Sequence, residues 1–292
     1  MDLQIGGKNI GYNHSHFVVA EIGINHNGDI NIAKQIIDAA VMYGCDAVKF
    51  QKRTVDVVYT PEELARPREN PFGPTNGHLK HGLEFGKEQY DEIDRYCKSK
   101  GILWFASPWD EQSVDFLEQY NPPCYKIASA CNHDKELMAH IKSKGRPMIV
   151  STGMTDDAGI DRIVDFLGED RLTILHCVST YPAKDHELHL ANIPRMIKKY
   201  PKAHIGYSGH EVGLFASLFA AALGACMIER HITLDRSMWG SDQAASLEVG
   251  GLAKLVKELR SLKRDYIGED VKLVLESEKP IEAKLRRKAT LA

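Results

Sequence analysis

The feature that most constrains this chain is a repeating alternation of short apolar runs with longer amphipathic stretches. Eight runs read as strands: Phe17–Ala20, Asp46–Gln51, Ile102–Ser107, Cys124–Ser129, Pro147–Thr152, Leu172–Ser179, His204–Ser208 and Cys226–Thr233. Phe17-Val18-Val19-Ala20 is apolar at every position rather than at every second one, as a strand buried on both faces is. Asp29 can cap the helix after the first run, whose inner face carries Ile30, Ala33, Ile36, Ile37 and Ala40. Further helices fall at Glu88–Lys100, Glu111–Gln119, Lys135–Ser143, Ile160–Phe166, Ala191–Tyr200, Leu214–Leu223 and Leu252–Tyr266. The alternation predicts an α/β chain folded as a TIM (β/α)8 barrel. A doubly wound sheet is the alternative, and it usually has fewer strands.

Three segments follow from this reading. Residues 1–16 contain Gly-Gly-Lys-Asn and read as a small hairpin capping one end of the barrel. Residues 17–269 form the barrel, and 270–292 a tail without a strong period. The stretch from Arg53 to Gly86 is rich in Pro, Gly, Asn and His, and loops that long inside a compact domain are usually lids or binding loops.

Composition excludes some partners. With 292 residues, 43% of them hydrophobic, the chain can bury a large core, and its net charge of -3 argues against a nucleic-acid or anionic-membrane surface. The basic cluster at Lys284–Lys288 reads as a solvated tail. No apolar run reaches the length of a membrane helix, and Met1-Asp2-Leu3-Gln4 lacks the form of a signal peptide. The six cysteines form no CxxC pair, so free thiols in a reducing cytoplasm are expected.

In a barrel of this kind the site forms at the carboxyl ends of the strands. Those ends supply Glu21, Asn25 and His26; Lys49 and Gln51; Ser107; Lys126 and Ser129; Ser151 and Thr152; Ser179 and Tyr181; Ser208 and His210; Glu229 and His231. Core packing does not require polar residues there. Two lysines among small hydroxyls suit a small polyanion, and phosphate with carboxylate fits best. His210 and His231, one strand apart, can hold a metal whose open positions take water or a substrate oxygen. Glu21 and Glu229 are candidates for proton transfer or for orienting a sugar hydroxyl. Each residue also has a plainer reading: Lys49 can pair with a carboxylate in a structural network, the serines can form turns, and His26 can hold the turn Asn25–Gly28.

Several stretches resemble the N-acetylneuraminate (sialic acid) synthase family. They are Ala20-Glu21-Ile22-Gly23-Ile24-Asn25-His26-Asn27-Gly28, Val48-Lys49-Phe50-Gln51, Tyr125-Lys126-Ile127-Ala128-Ser129, Ser151-Thr152-Gly153-Met154, His176-Cys177 through Tyr181-Pro182, Ser208-Gly209-His210, Glu229-Arg230-His231 and Gly240-Ser241-Asp242. The resemblance runs in order from about Phe17 to Pro280. It implies a TIM barrel that condenses phosphoenolpyruvate with an N-acylated amino sugar to a nonulosonic acid and phosphate. By position, Lys49, Ser107, Lys126, Ser129, Ser151, Ser179 and Ser208 would hold phosphoenolpyruvate. His210 and His231 would ligate Mn²⁺, with Mg²⁺ or Co²⁺ as alternatives. Glu21, Gln51, Tyr181, Glu229 and Asp242 would face the sugar and the attacking water, with Glu21, Glu229 and Asp242 as the catalytic set. A cytoplasmic homodimer is implied as well. Position 179 is Ser where related synthases carry Asn. The family commonly continues into a small antifreeze-like domain; Glu278–Arg287 resembles its lead-in, and a barrel without that domain is the expectation. Two other readings stay open: a Schiff-base aldolase using Lys49 or Lys126, and a non-catalytic barrel that binds sugar phosphates.

Overall fold

The computed structural model describes residues 3–262, 267 and 271–287. Eight strands form the barrel: β1 (Phe17–Gly23), β2 (Ala47–Lys52), β3 (Leu103–Pro108), β4 (Tyr125–Ile127), β5 (Met148–Ser151), β6 (Leu172–Cys177), β7 (His204–Gly209) and β8 (Met227–Thr233), and a ninth short strand, Leu247–Glu248, pairs with β8 off the barrel's path. Every ladder is parallel, and the spatial order is β3-β2-β1-β8-β7-β6-β5-β4. β1 therefore pairs with β8, and β3 and β4, the two ends of the ladder, pack against each other. That is a nearly closed (β/α)8 barrel. A doubly wound sheet would leave its first and last strands apart.

Eight helices connect and surround the strands: α1 (Ile30–Met42), α2 (Lys87–Lys100), α3 (Glu111–Glu118), α4 (Lys135–Ser143), α5 (Asp157–Leu167), α6 (Asn192–Lys199), α7 (Phe215–Ala222) and α8 (Val249–Ser261). The caps explain several starts. Asp29, Asp110, Asp134 and Asp156 each accept a backbone N–H of the first turn, so α5 begins earlier than its apolar period suggests. The predicted end of the last helix, out to Tyr266, and the boundary at 269/270 lie outside the described residues. In the tail, Lys279–Leu285 is a short helix with no buried residue.

Period two along the strands sorts the core into two layers. Val18, Ala20, Val48, Phe50, Ile174, Ile205 and Ile228 belong to the cluster between sheet and helices. Phe17, Val19, Ala47, Phe105, Cys124, Ile149, Leu175 and Met227 fill the amino-terminal half of the interior. Leu3, Ile5 and Ile10, from the antiparallel strands Leu3–Ile5 and Lys8–Ile10, join that inner cluster. The hairpin thus plugs the end remote from the polar strand ends. Gly206 permits the tight interior, because a Cβ there would lie 2.5 Å from Leu175 Cδ2 and 2.7 Å from the Met227 carbonyl oxygen.

The stretch expected as a long loop is built. It holds helices Val55–Val58, Pro61–Ala65 and Asn76–Leu83 and the antiparallel pair Pro67–Asn70 and Gly73–Thr75. Its start is pinned by Asp110, which accepts from Thr54 N at 2.7 Å and Thr54 Oγ1 at 2.8 Å. Its end is pinned by Glu84, which accepts from Lys52 Nζ at 2.7 Å and Arg53 N at 3.0 Å. β4 stops earlier than predicted because the chain closes into a 3-10 turn, Ser129–Cys131, with Cys131 N donating to Ala128 O.

A buried ion pair fixes the turn after β7. Arg230 Nη1 donates to Glu211 Oε1 at 2.7 Å and to Gly213 O at 2.9 Å, and Nη2 donates to Glu211 O at 2.6 Å. Tyr207 and Ser217 hydroxyls, each 2.8 Å away, complete the Glu211 carboxylate. Both charges are only 1% exposed, so neither can be solvated if the other is removed. Arg230→Met should therefore cost ~3–5 kcal/mol in equilibrium urea unfolding, with much of it recovered when Glu211 is also made apolar. A single-variant loss below ~1 kcal/mol would show that the pair does not hold this turn.

Candidate functional site

The inward row that is apolar below becomes polar above, on the same strands. Val19 is followed by Glu21, Ala47 by Lys49 and Gln51, Phe105 by Ser107, and Cys124 by Lys126. Ile149 is followed by Ser151, Leu175 by Cys177, Gly206 by Ser208, and Met227 by Glu229 and His231. The upper members line one open cavity. Glu21, Lys49, Gln51, Ser107, Lys126, Ser129, Ser151, Ser179, Tyr181, Ser208, His210, Glu229 and His231 all face it. Asp242 does not line it; its Oδ2 stands behind, 3.8 Å from His231 Nδ1, and its Oδ1 accepts from Ser241.

Charge alternates across the floor. Lys49 Nζ lies 2.8 Å from Glu21 Oε2 and 3.8 Å from Glu229 Oε1, and Lys126 Nζ lies 3.8 Å from the same Glu229 oxygen. Hydroxyls bridge the charges: Lys49 donates to Ser107 Oγ at 3.2 Å, Lys126 to Ser151 Oγ at 2.6 Å, and Ser208 to Glu229 Oε1 at 3.0 Å. Gln51 Nε2 donates to Glu21 Oε1 at 3.1 Å.

The four groups respond to burial differently. Burial opposes the Lys49 charge, but Glu21 and Glu229 outweigh it and raise its pKa. Burial lowers the pKa of Lys126, with Glu229 only partly offsetting it. Burial would raise Glu229, yet Lys126 and Lys49 hold it below the usual carboxylate range. Glu21 is the carboxylate that gives way: burial and the Glu229 charge push it up against Lys49. One carboxylate stays ionised while its neighbour is poised to take up a proton.

The histidines stand across from these charges. Their ring centroids are 5.4 Å apart, and Tyr181 lies 4.1 Å from the His210 ring and 5.7 Å from that of His231. His210 Nδ1 is 2.7 Å from the Val178 carbonyl, which can only accept, so the proton sits on Nδ1 and leaves an Nε2 lone pair. Burial pushes His231 down to about 3, so it is neutral, and its Nδ1 is buried without a hydrogen-bond partner. Burial opposes a charge on His210, but Cys177 and the Val178 carbonyl outweigh it and raise its pKa, so His231 is the neutral member of the pair; two imidazole rings so close are of the kind that can ligate a divalent cation. Among the described residues no group of three or more His, Cys, Asp and Glu could hold a metal ion.

Between β4, β5 and β6 the backbone itself forms part of the wall. Gly153 N donates to Ser129 Oγ at 3.1 Å, and a Cβ at Gly153 would fall 2.0 Å from Ser179 Oγ and 2.7 Å from Ser129 Oγ. Only glycine leaves that cradle of donors open.

Other strand-end residues have the plainer roles. Asn25 ties Ile232 O and Ser246 Oγ, His26 accepts from Gly28 N and stacks on Phe85 at 3.9 Å, and Thr152 Oγ1 donates to Leu175 O. Five residues that line the cavity were not among the sequence candidates: Trp109, Ala128, Ala130, Met154 and Cys177. Cys177 lies 3.7 Å from Ser129 Oγ and 3.8 Å from His210 Nδ1, and the period-two step from Leu175 was its signal. Trp109 lies just past the end of β3, where no periodicity reaches.

Residues 36–272 match the family model described as the NeuB family. The N-acetylneuraminate-9-phosphate synthase of Homo sapiens is 38% identical over 283 residues, covering 96% of this chain and 79% of that protein. The N,N'-diacetyllegionaminic acid synthase of Legionella pneumophila is 34% identical over 98% of this chain and 83% of its own length. The crystal structure of an N-acetylneuraminic acid (sialic acid) synthetase from Leptospira borgpetersenii, in complex with citrate, superposes with a TM-score of 0.85 at 30% identity, covering 99% of this chain and 98% of that one. The site's residue types, the order of its motifs and this breadth of similarity lead to one conclusion: the chain belongs to the NeuB family.

Proposed function

We propose that this protein is a carbon–carbon bond-forming synthase that condenses phosphoenolpyruvate with an N-acylmannosamine-like aldose, giving a sialic-type nonulosonic acid and phosphate. The observation that carries the reading is the single cavity in which two lysines, two carboxylates, a hydroxyl ring and an imidazole pair meet. Relatives named as N-acetylneuraminate-9-phosphate, N,N'-diacetyllegionaminic acid and pseudaminic acid synthases support it.

Lys49 and Lys126 would neutralise the enol ester's carboxylate and phosphate, with Ser107, Ser151 and Ser208 as directional donors. The cradle of Ser129, Ser179 and the Gly153 N–H suits a phosphate oxygen. Gln51 and Tyr181 would orient the sugar, with Asp242 steadying His231 from behind. C3 of the enol ester attacks the aldehyde carbon, and the new C–C bond leaves the aldehyde oxygen to take a proton. Water adds at C2 and gives its proton to Glu21, whose raised pKa suits that task, while Glu229 stays ionised and stabilises the cationic carbon. The tetrahedral carbon then expels phosphate as the C2 hydroxyl becomes the ketone carbonyl, its proton leaving with the phosphate. His210 and His231 would hold a divalent cation, Mn²⁺ in the first instance, which when bound supplies polarisation of the aldehyde oxygen.

A second reading has one observation in its favour. The lowered pKa of Lys126 is a property that imine-forming lysines share, and an aldolase would trap pyruvate on it. We also place the protein in the cytoplasm as a homodimer. All six cysteines are buried and free of disulfides, as a reducing compartment requires. The exposed Phe215 and Phe219, stacked at 5.9 Å, offer an apolar face. Sedimentation at micromolar concentration should give twice the chain mass; a monomer would refute the dimer. Among the described residues no helix is long and apolar enough to cross a membrane.

The enzymatic test is a panel of aldoses with phosphoenolpyruvate and Mn²⁺, reading liberated phosphate and product mass. Phosphate should appear only with a suitable aldose, fall to background in His210→Ala, and slow by ~100-fold or more in Glu21→Gln. Release that persists in chelated His210→Ala would contradict the metal-assisted reading. Borohydride should trap no pyruvate on Lys126, and a covalent adduct there would decide for the aldolase.

A further inference from the structure

The side chain of Arg53 has unusual surroundings. It follows Lys49 and Gln51 at the next alternate position of β2 and its continuation. A strand rises ~3.3 Å per residue, so Arg53 stands up to about 13 Å above Lys49, at the rim rather than the floor. Its guanidinium stacks 4.0 Å over the ring of Trp109, which lines the cavity. Nη2 donates to Gln51 Oε1, whose amide in turn donates to Glu21.

Among the described residues the Arg53 guanidinium pairs with no carboxylate, whereas adjacent Lys52 is neutralised by Glu84 at 2.7 Å. Two donors of the stacked pair, Arg53 Nε and Trp109 Nε1, are buried without a hydrogen-bond partner. Buried donors without a partner are costly. A cation that pairs with no carboxylate among the described residues, stacked on the aromatic plane of cavity-lining Trp109, suits an anion with directional acceptor oxygens.

We propose that Arg53 receives an anionic group, phosphate in the simplest case, at the far end of the acceptor aldose, and so determines which acceptor the mouth selects. The inference rests on the condensation proposed above and narrows its acceptor class. The enol ester's own charges are met on the floor by Lys49, Lys126 and the hydroxyls. The aldehyde carbon must lie beside the enol ester's C3, so the other end of the aldose extends toward the rim, where Arg53 and Trp109 stand.

The test is steady-state kinetics of the full chain, Arg53→Gln and Arg53→Lys, with phosphoenolpyruvate, Mn²⁺ and either an N-acylmannosamine or its 6-phosphate. The wild type should prefer the phosphorylated aldose. Arg53→Gln should lower kcat/KM for it by ~10- to 100-fold more than for the unphosphorylated sugar, mainly through KM, and Arg53→Lys should recover part of the difference. Equal losses for both sugars would overturn the inference, leaving Arg53 as a prop for Gln51. A rise in KM for phosphoenolpyruvate without discrimination between sugars would overturn it too, moving the anion to the other substrate. Turnover of the unphosphorylated aldose alone would refute the role of Arg53 and leave the condensation standing. No turnover of any aldose would refute both.

Discussion

Four charges inside the barrel govern the rest of this molecule. Lys49, Lys126, Glu21 and Glu229 are each at most 4% exposed, and an isolated charge at such a depth would be prohibitive. They are tolerable because they alternate in sign, share Glu229 between both lysines, and are bridged by serine hydroxyls. The arrangement is balanced but incompletely satisfied, since Glu229 Oε2 and His231 Nδ1 keep no hydrogen-bond partner. Those open valences are what a bound substrate or cation would fill.

The architecture supplies that site by splitting one interior in two. Below, the hairpin and the apolar layer from Phe17 to Met227 make a rigid plug, close-packed enough to need Gly206. Above, the same inward positions carry ionic and hydroxyl groups. Stability and chemistry are therefore separated along the barrel axis rather than between different strands. The Arg230–Glu211 pair lies behind the wall and fixes the turn that carries His210. It stabilises the site's frame without touching its contents.

How much of this could be read from residues alone depended on whether a signal was periodic. The eight strands were legible because continuous apolar runs such as Phe17–Ala20 leave few other options, and closure followed from their number. The polar strand ends were legible for the same reason: a charge directly after a buried run, as at Lys49 or Glu229, has to face a cavity or a partner. Here it does both, so the plainer reading of Lys49 as one member of an ion pair is true as well. Asp242, whose loop motif carries no direction, does not line the cavity and lies 3.8 Å from His231 Nδ1. The segment from Arg53 to Gly86 was opaque because its order comes from tertiary ties at Asp110 and Glu84 rather than from local period. Cys177 was one period-two step from Leu175 and could have been found, whereas Trp109 and the Gly153 cradle depend on loop geometry that no pattern encodes.

The central claim is that the paired charges of the mouth hold an enol ester while water attacks its C2, so that the bond broken is carbon to oxygen. Phosphoenolpyruvate labelled with ¹⁸O at the bridging position tests it directly in a single turnover with the accepted aldose. The label should leave with inorganic phosphate, and the product's C2 oxygen should come from solvent. Label retained at C2 of the product would mean phosphorus–oxygen cleavage and would contradict the chemistry assigned to Glu21, Lys49 and Lys126.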